Sequence, residues 1–177
     1  RIKGGSASGQ RVREQAAKFI MNQTEAGPAF AIVIPVNNEA DNIVPLVAEI
    51  EAALGGGRPF ELIFVNDGST DDSEAIMKTL AETRPWLRQI KHRFACGKSA
   101  ALRTGVRMAR AQSIVMLDGD GQNDPKYIPP VLAALEQGGD RVGLVNSVRI
   151  GRKDTEFKRV QSRIANRIRG ALLKDGT

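Results

Sequence analysis

The feature that most constrains this chain is a regular alternation of short apolar runs with helical patterns between residues 30 and 173. Five runs rich in β-branched and aromatic residues predict strands at 30–35, 60–65, 87–92, 113–117 and 141–146. Between and after them, apolar residues at helical spacing predict helices at 41–54, 71–83, 99–110, 127–137 and 155–173. This order predicts an α/β fold in which a mostly parallel sheet is covered by helices on both faces.

Residues 1–28 lie outside this alternation. The first nine residues are rich in Gly and Ser, and residues 10–23 can form a short helix that ends at Gly27-Pro28. We therefore expect an N-terminal tail, partly an expression remnant or flexible, followed by one domain at 29–177. Because the chain begins with Arg1 and its last helical pattern has no closing element, we expect this domain to be C-terminally incomplete.

Positive charge is concentrated near the C-terminal end. The chain has a net charge of +6, and between Arg149 and Lys174 nine basic residues stand against two acidic ones. This segment is typical either of an interfacial helix on an anionic membrane surface or of a domain helix with a solvated basic face. With 5% aromatic residues, the base-stacking side chains of a nucleic-acid-binding protein are scarce, so no nucleic-acid partner is expected.

Acidic residues follow the fourth predicted strand, and ligands of parallel α/β sheets bind beyond the carboxyl ends of strands. Asp118 and Asp120 flank Gly119, and in extended backbone the side chains at i and i+2 point the same way. Two carboxylates facing one point suit Mg²⁺ or Mn²⁺ bridging a diphosphate, with Gly119 leaving room and Gln122 adding a neutral oxygen ligand. The alternative is that Asp118 caps a turn and Asp120 belongs to a loop. The position after a buried strand favours the metal site.

Two further acidic residues follow the first and second predicted strands. Asp67 can accept a hydrogen bond from a nucleobase edge, or it can be a turn residue within Asn-Asp-Gly-Ser. Glu39 can face the same ligand, or it can be a favourable charge at a helix N-terminus. The residues alone leave both alternatives open.

Several other types of site are disfavoured. Gly97-Lys98-Ser99 resembles the end of a phosphate-binding loop, but the glycine that the full pattern requires is replaced by His92. Because His92 is the only histidine, a hydrolase triad is improbable. The single cysteine, Cys96, excludes an internal disulfide, fits a reducing compartment and is expected to be inert.

The segments 31–39 (AIVIPVNNE), 64–71 (FVNDGSTD), 97–105, 117–125 (LDGDGQNDP) and 158–163 (KRVQSR) carry a family resemblance. In this order they resemble the family-2 glycosyltransferases, over about residues 30–177. Within that family the chain is most similar to the polyprenyl-phosphate sugar transferases, such as dolichol-phosphate mannose synthase and its bacterial relatives. The resemblance implies a GT-A (Rossmann-like) fold, and an inverting, metal-dependent transfer of a sugar from a UDP- or GDP-linked donor to a lipid phosphate.

The resemblance also assigns site residues. Catalytic roles go to Asp118, Asp120 and Arg149, and the metal, Mg²⁺ or Mn²⁺, to Asp118, Asp120 and Gln122. The resemblance places Pro35, Glu39, Asp67 and Asp118 at the nucleotide-sugar, and we expect Asn37, Lys98 and Gly119, which lie in the same loops, to contact it as well. It places Arg149, Lys158 and Ser162 at the acceptor phosphate, and the charge of Arg152 makes it a further candidate there.

This chain departs from its relatives at two positions of the donor site. Asn37 stands where a tyrosine is usual and Asn66 where an aspartate is common, so the choice between UDP and GDP stays open. The implied location is the cytoplasmic face of a membrane, peripheral or anchored by segments outside this chain. Transfer to another glycan or lipid, or a non-catalytic nucleotide-binding fragment, are the alternative functions.

Overall fold

A computed structural model of the chain describes residues 27–147. Its strands are β1 (Phe30–Val36), β2 (Phe60–Asn66), β3 (Leu87–Lys91) and β4 (Ser113–Met116). Its α-helices are α1 (Ala40–Leu54), α2 (Ser73–Glu82), α3 (Lys98–Met108) and α4 (Ile128–Gly138), with 3-10 turns at Pro125–Tyr127 and Gly139–Arg141. Within these residues, no helix combines the length and the apolar character needed to cross a membrane.

The four strands form one parallel sheet in the order β3-β2-β1-β4. In β1, Phe30 is in register with Phe60 of β2 on one side and with Ser113 of β4 on the other. The chain therefore builds the sheet outward from β1 to β3 and then returns to the other side of β1 to add β4. The predicted α/β fold with a parallel sheet is confirmed.

Alternate residues of the central strands face two different apolar layers, as the pleat of a strand requires. On one face, Ile32 and Ile34 pack with buried residues of α1, α2 and α4 in the larger cluster. On the other face, Val33 and Val65 pack with Ala101 of α3. Both faces of the sheet are thus covered, which explains why β1 and β2 consist of near-continuous apolar runs.

Gly105 allows α3 to lie close to the sheet. A Cβ atom at this position would lie 2.3 Å from Val33 Cγ1 and 3.1 Å from Val65 Cγ2. Any larger residue would push the helix away from β1 and β2. The cost that glycine brings to a helix interior is therefore offset by close packing.

The fifth strand predicted at 141–146 is wrong. Its first residue ends the 3-10 turn Gly139–Arg141, and the residues that follow do not pair with the sheet. Val142 packs instead on the end of α4, where a Cβ on Gly138 would lie 2.3 Å from Val142 Cγ2. Leu144 is 66% exposed. One residue of the apolar run thus covers the end of a helix. The β propensity of a segment does not show whether it packs in this way or pairs with a neighbouring strand.

Candidate active site

A cavity of about 220 Å³ opens at the carboxyl ends of β1, β2 and β4. Because β1 leads outward to β2 and β4 returns to its other side, the cavity lies where the strand order reverses, the usual ligand site of such sheets. The residues that line it are Pro35, Val36, Asn37, Glu39, Asp67, Lys98, Asp118, Gly119 and Asp120.

The loops after β1 and β2 are joined by hydrogen bonds. Asn37 Nδ2 donates to the carbonyl of Asp67 at 2.7 Å, and Asn38 Oδ1 accepts from the backbone of Thr70 at 2.8 Å. Asn38 adopts a left-handed backbone conformation with φ of 58°, which asparagine tolerates better than most residues. The two loops therefore form one unit.

The N-terminus of α1 belongs to the same unit. The N–H of Glu39 donates to Ser73 Oγ at 3.0 Å, and that of Ala40 donates to Asp71 Oδ2 at 3.1 Å. The carboxylate of Asp71 also accepts from the N–H of Ser73, so one side chain serves the first turns of α1 and α2. Glu39 lies at the N-cap position of α1 and lines the cavity, so its two predicted roles are compatible.

Asp67 is almost fully buried at the end of β2, with 4% of its surface exposed. Its Oδ1 accepts from the N–H of Cys96 at 2.8 Å and lies 2.7 Å from His92 Nδ1, and its Oδ2 accepts from the N–H of Gly97 at 2.7 Å. Burial by itself raises the pKa of the Asp67 carboxyl, but these hydrogen bonds together outweigh burial and hold that pKa below its ordinary value.

This arrangement gives Asp67 a structural role that goes beyond a turn residue. Its carboxylate holds the loop 92–97 against β2, and Gly97 immediately precedes α3. Asp67 also lines the cavity, and the second lone pair of Oδ2 has no partner among the hydrogen bonds described above. A nucleobase N–H group can therefore still be accepted there.

The loop after β4 carries Asp118, Gly119 and Asp120 to the opposite wall of the cavity. The N–H of Leu117 donates to the carbonyl of Val33, which extends the β1–β4 ladder to the residue before Asp118. Gly119 is packed so closely against β1 that a Cβ there would lie 3.0 Å from the carbonyl oxygen of Pro35. The prediction that Gly119 permits a close approach thus applies first to the protein's own backbone.

The two aspartates of this loop have different partners. Asp118 Oδ1 forms an ion pair with Lys98 Nζ at 2.5 Å, and the side chains are 37% and 59% exposed, respectively. Asp120 Oδ1 accepts a local hydrogen bond, from the N–H of Gln122 at 3.0 Å. Both carboxylates border the cavity, so a cation there would meet hard oxygen donors from both.

The structure brings together all the residues predicted for the nucleotide-sugar: Pro35, Asn37, Glu39, Asp67, Lys98, Asp118 and Gly119. Asp120 of the predicted metal pair lies with them. Gln122 lies on the following turn and does not line the cavity, so its role as a metal ligand stays a prediction. Arg149, Arg152, Lys158 and Ser162 fall outside the described residues.

The role of His92 was missed by sequence reasoning. His92 links two elements, because its Nδ1 meets Asp67 and its Nε2 lies 2.9 Å from Thr104 Oγ1 in α3. The available signal was its position at the carboxyl end of the third strand. Asp67, His92 and Cys96 each have one ligand atom within 4.8 Å of the others. Three of the contacts of the Asp67 carboxylate are with backbone N–H groups and the imidazole, so these distances are those of a hydrogen-bonded centre.

Comparison with known proteins agrees with this geometry. The sequence profile described as Glycosyl transferase family 2 matches residues 31–177. The undecaprenyl-phosphate 4-deoxy-4-formamido-L-arabinose transferase of Pseudomonas savastanoi pv. phaseolicola is 38% identical over 139 residues, which are 77% of this chain and 40% of that protein. The enzyme of the same name from Klebsiella pneumoniae is 33% identical over 140 residues, 78% of this chain and 42% of that protein. The chain thus spans about two fifths of the length of these curated relatives.

Solved structures show the same architecture. The mannosyltransferase PcManGT from Pyrobaculum calidifontis, in complex with GDP-Man and Mn²⁺, matches with a TM-score of 0.59 and 25% identity, covering 85% of this chain and 45% of that one. S. aureus TarS 1-349 in complex with UDP matches with a TM-score of 0.54 and 17% identity, covering 71% of this chain and 40% of that one. The second likeness concerns the fold alone.

Proposed function

The chain belongs to glycosyl transferase family 2 and has the GT-A fold, and on that basis we propose that it forms the donor-binding part of a polyprenyl-phosphate sugar transferase. The transfer moves a sugar from a nucleoside diphosphate to a lipid phosphate, with inversion at the anomeric carbon. The curated relatives are named as undecaprenyl-phosphate sugar transferases, and PcManGT was solved with GDP-Man and Mn²⁺. These names support the acceptor class and the donor class, respectively.

The observation that carries the proposal is the composition of a single cavity. Asp67 lies on one wall and Asp118 and Asp120 on the other, and Lys98, the first residue of α3, reaches the second wall through its ion pair with Asp118. A nucleoside diphosphate needs these groups in this order, with an acceptor for base N–H groups at one end and countercharge for phosphates at the other. The loop carrying Asp67 is rigidly held, so the base end of the site is preorganised.

The oxygen ligands available in the cavity fit a hard divalent cation, Mg²⁺ or Mn²⁺. Asp118 and Asp120 supply carboxylate oxygens on one short loop, and Gly119 holds that loop against the end of β1. A bound cation would supply positive charge to the leaving diphosphate. The protein's own contribution is to hold both carboxylates at a fixed place beside the ends of β1 and β4.

The acceptor determines which further groups the reaction needs. A phosphate monoester has a second pKa of about 6, so it is already nucleophilic at neutral pH without a strong general base. The described part of the cavity agrees with this, since no histidine lines it and both ring nitrogens of the nearby His92 are occupied by Asp67 and Thr104. Arg149, Arg152, Lys158 and Ser162 are proposed to hold the acceptor phosphate by charge-assisted hydrogen bonds, at the cytoplasmic face of a membrane.

Calorimetric titration with UDP and with GDP, each in Mn²⁺ and in EDTA, tests the donor site. We expect one nucleotide to bind in Mn²⁺ and to lose most of its affinity in EDTA and in the variant Asp118→Asn. Asp124→Asn is the matched control, because Asp124 follows in the same loop but pairs with Lys126 and does not line the cavity. If neither nucleotide binds to protein that circular dichroism shows to be folded, the proposal fails.

Turnover tests the acceptor class. We expect a chain that includes residues beyond 177 to transfer a labelled sugar to a short polyprenyl phosphate, and its Asp120→Asn variant to lose at least about 100-fold in rate. Nuclear magnetic resonance of the product reports the anomer, and retention of configuration would contradict the inverting reaction. Transfer to a neutral glycan but to no lipid phosphate would contradict the acceptor.

A further inference from the structure

The ion pair between Lys98 and Asp118 occupies the same carboxylate that the proposed metal site requires. Lys98 Nζ lies 2.5 Å from Asp118 Oδ1, inside the lining of the cavity. Among the described lining residues, Lys98 is the one basic side chain beside four carboxylic ones, Glu39, Asp67, Asp118 and Asp120. The Lys98 ammonium therefore occupies the position in which the proposed site would hold a metal ion.

The backbone of Lys98 is fixed, while its side chain is not. Lys98 is the first residue of α3, and the preceding Gly97 is held by a 2.7 Å hydrogen bond from its N–H to Asp67 Oδ2. The Lys98 side chain is 59% exposed, and its four-carbon stem is flexible. Its ammonium can therefore leave Asp118 and still reach other positions around the same cavity.

We propose that Lys98 exchanges partners during donor binding, from the Asp118 carboxylate in the empty site to the diphosphate of the donor in the loaded site. A divalent cation and the Lys98 ammonium cannot both take Asp118 Oδ1, because like charges at this separation repel. Lys98 displaced from Asp118 is left beside the phosphates, to which it donates charge-assisted hydrogen bonds. The inference rests on the proposed function, since it assumes a metal and a diphosphate in this cavity.

The exchange makes metal and nucleotide binding interdependent. In the empty site Lys98 competes with the cation, so the cation alone binds weakly. Once a diphosphate is present, Lys98 gains a better partner and no longer competes, so the cation binds more tightly. By linkage, each ligand raises the affinity for the other by the same factor. Lys98 is thus a donor-binding residue whose ion pair with Asp118 weakens the binding of free cations until the donor is present.

The variant Lys98→Met separates this role from a structural one. Methionine keeps the length of the side chain and the helix propensity but removes the charge. We expect Mn²⁺ alone, followed by electron paramagnetic resonance of the free ion, to bind the variant about two- to five-fold more tightly than the native chain. We expect the nucleotide preferred in calorimetry to bind the variant roughly ten-fold more weakly in saturating Mn²⁺. If the substitution instead damaged the N-terminus of α3, both the Mn²⁺ affinity and the nucleotide affinity would fall.

Lys126→Met is the matched control. Lys126 also pairs with an aspartate, Asp124, in the loop after β4, and its side chain is similarly exposed at 64%, but it does not line the cavity. We expect this variant to leave both affinities unchanged. The exchange is supported if Lys98→Met binds Mn²⁺ more tightly and the nucleotide more weakly, while Lys126→Met changes neither affinity.

Two outcomes overturn the inference and are distinguishable. If the native chain binds Mn²⁺ together with UDP or GDP but Lys98→Met binds Mn²⁺ alone no more tightly, the exchange is wrong and the proposed function stands. If the native chain binds no Mn²⁺ with either nucleotide, both the exchange and the metal-dependent function are wrong.

Discussion

His92 Nδ1 lies 2.7 Å from Asp67 Oδ1, in a pair between β2 and α3 whose side chains are 15% and 6% exposed, respectively. Because the Asp67 carboxyl has a lowered pKa and accepts from two backbone N–H groups, it is ionised and can only accept, so Nδ1 carries the proton. The other ring nitrogen lies 2.9 Å from the hydroxyl of Thr104. One chain of hydrogen bonds thus joins the Asp67 side of the cavity to the helix that carries Lys98.

Asp67→Asn should destabilise the protein even without ligand. The amide replaces an acceptor by a donor, which leaves at least one of the N–H groups of Cys96 and Gly97 without its partner. We expect a loss of about 2–4 kcal/mol in the free energy of unfolding by urea. Asp72→Asn is the control, because Asp72 is exposed and its side chain makes no cap hydrogen bond. Equal stability of the two variants would contradict the role of Asp67.

The same carboxyl should make stability depend on acid. Its pKa is below the ordinary value of 3.8 in the folded protein, so the unfolded chain binds the proton first as the pH falls. The stabilisation from Asp67 is therefore complete above about pH 4 and is lost as the pH falls through the folded-state pKa. We expect melting temperatures between pH 6 and pH 3 to fall more steeply for the native chain than for Asp67→Asn. Parallel curves would show that Asp67 does not contribute.

Gly68→Ala tests how tightly the loop 92–97 packs on the loop after β2. Gly68 has a φ of +69°, and a Cβ there would lie 2.5 Å from the backbone nitrogen of Ala95. Gly56 has a similar φ of +79° but has nothing within 4 Å of its Cβ position. We expect Gly56→Ala to cost about 1 kcal/mol of stability from φ alone. Gly68→Ala should cost about 1–3 kcal/mol more, since backbone atoms must move.

The nucleotide affinity of the two glycine variants sharpens this comparison. Gly68→Ala should displace the segment that leads into α3 and so weaken nucleotide binding, whereas Gly56→Ala should not. Denaturation and calorimetry on the same samples measure both effects. If the two variants lose equal stability and keep equal affinity, the close approach at Gly68 is not required.

Glu61 should be essential for stability although it is remote from the cavity. It is buried in β2, pairs with Arg88 at 2.8 Å, and accepts from the N–H groups of Arg110 at 2.5 Å and Ala111 at 3.3 Å. Glu61→Leu leaves the partly buried guanidinium of Arg88 without a counter-ion, with only the carbonyl of Met108 described as a partner, and removes the acceptor of two N–H groups, so we expect it to cost about 3–5 kcal/mol.

A double variant and an exposed pair serve as controls for Glu61. Adding Arg88→Met to Glu61→Leu should recover part of the loss, because no charge is then left uncompensated. Glu74→Leu, which breaks the exposed Glu74–Lys91 pair, should cost far less. A loss for Glu61→Leu as small as that for Glu74→Leu would contradict this account of the buried pair.

Much of the fold could be read from the sequence, because strands covered on both faces require long apolar runs. Ile32 to Ile34 and Leu62 to Val65 are all buried, and their apolar runs mark β1 and β2. Parallel strands bring their carboxyl ends together, and Glu39, Asp67 and Asp118, which follow three of these ends, line one cavity. The fifth strand failed because an apolar run such as 142–145 does not reveal whether it has a partner strand.

The pairings within the site could not be read in this way. His92 meets Asp67, and Lys98 meets Asp118, across distances along the chain of 25 and 20 residues (92 minus 67, 118 minus 98). Each pair depends on the direction in which the chain leaves Gly97 to begin α3. Gly97 has a φ of 90°, and the spacing of apolar residues does not predict this backbone conformation. Motifs identify strand ends, whereas side-chain partners across loops depend on the tertiary packing.

The strand order also has a consequence for how the site assembles during folding. Phe30 is in register with Phe60, 30 positions away (60 minus 30), and with Ser113, 83 positions away (113 minus 30). Closing the longer loop costs about 1 kcal/mol more in chain entropy. We therefore expect amides of β1–β3 to gain protection in pulse-labelled hydrogen exchange before those of β4. The wall formed by Asp67 and the loop 92–97 then exists before Asp118 and Asp120 arrive, so the cavity is completed only when the last described strand has joined the sheet.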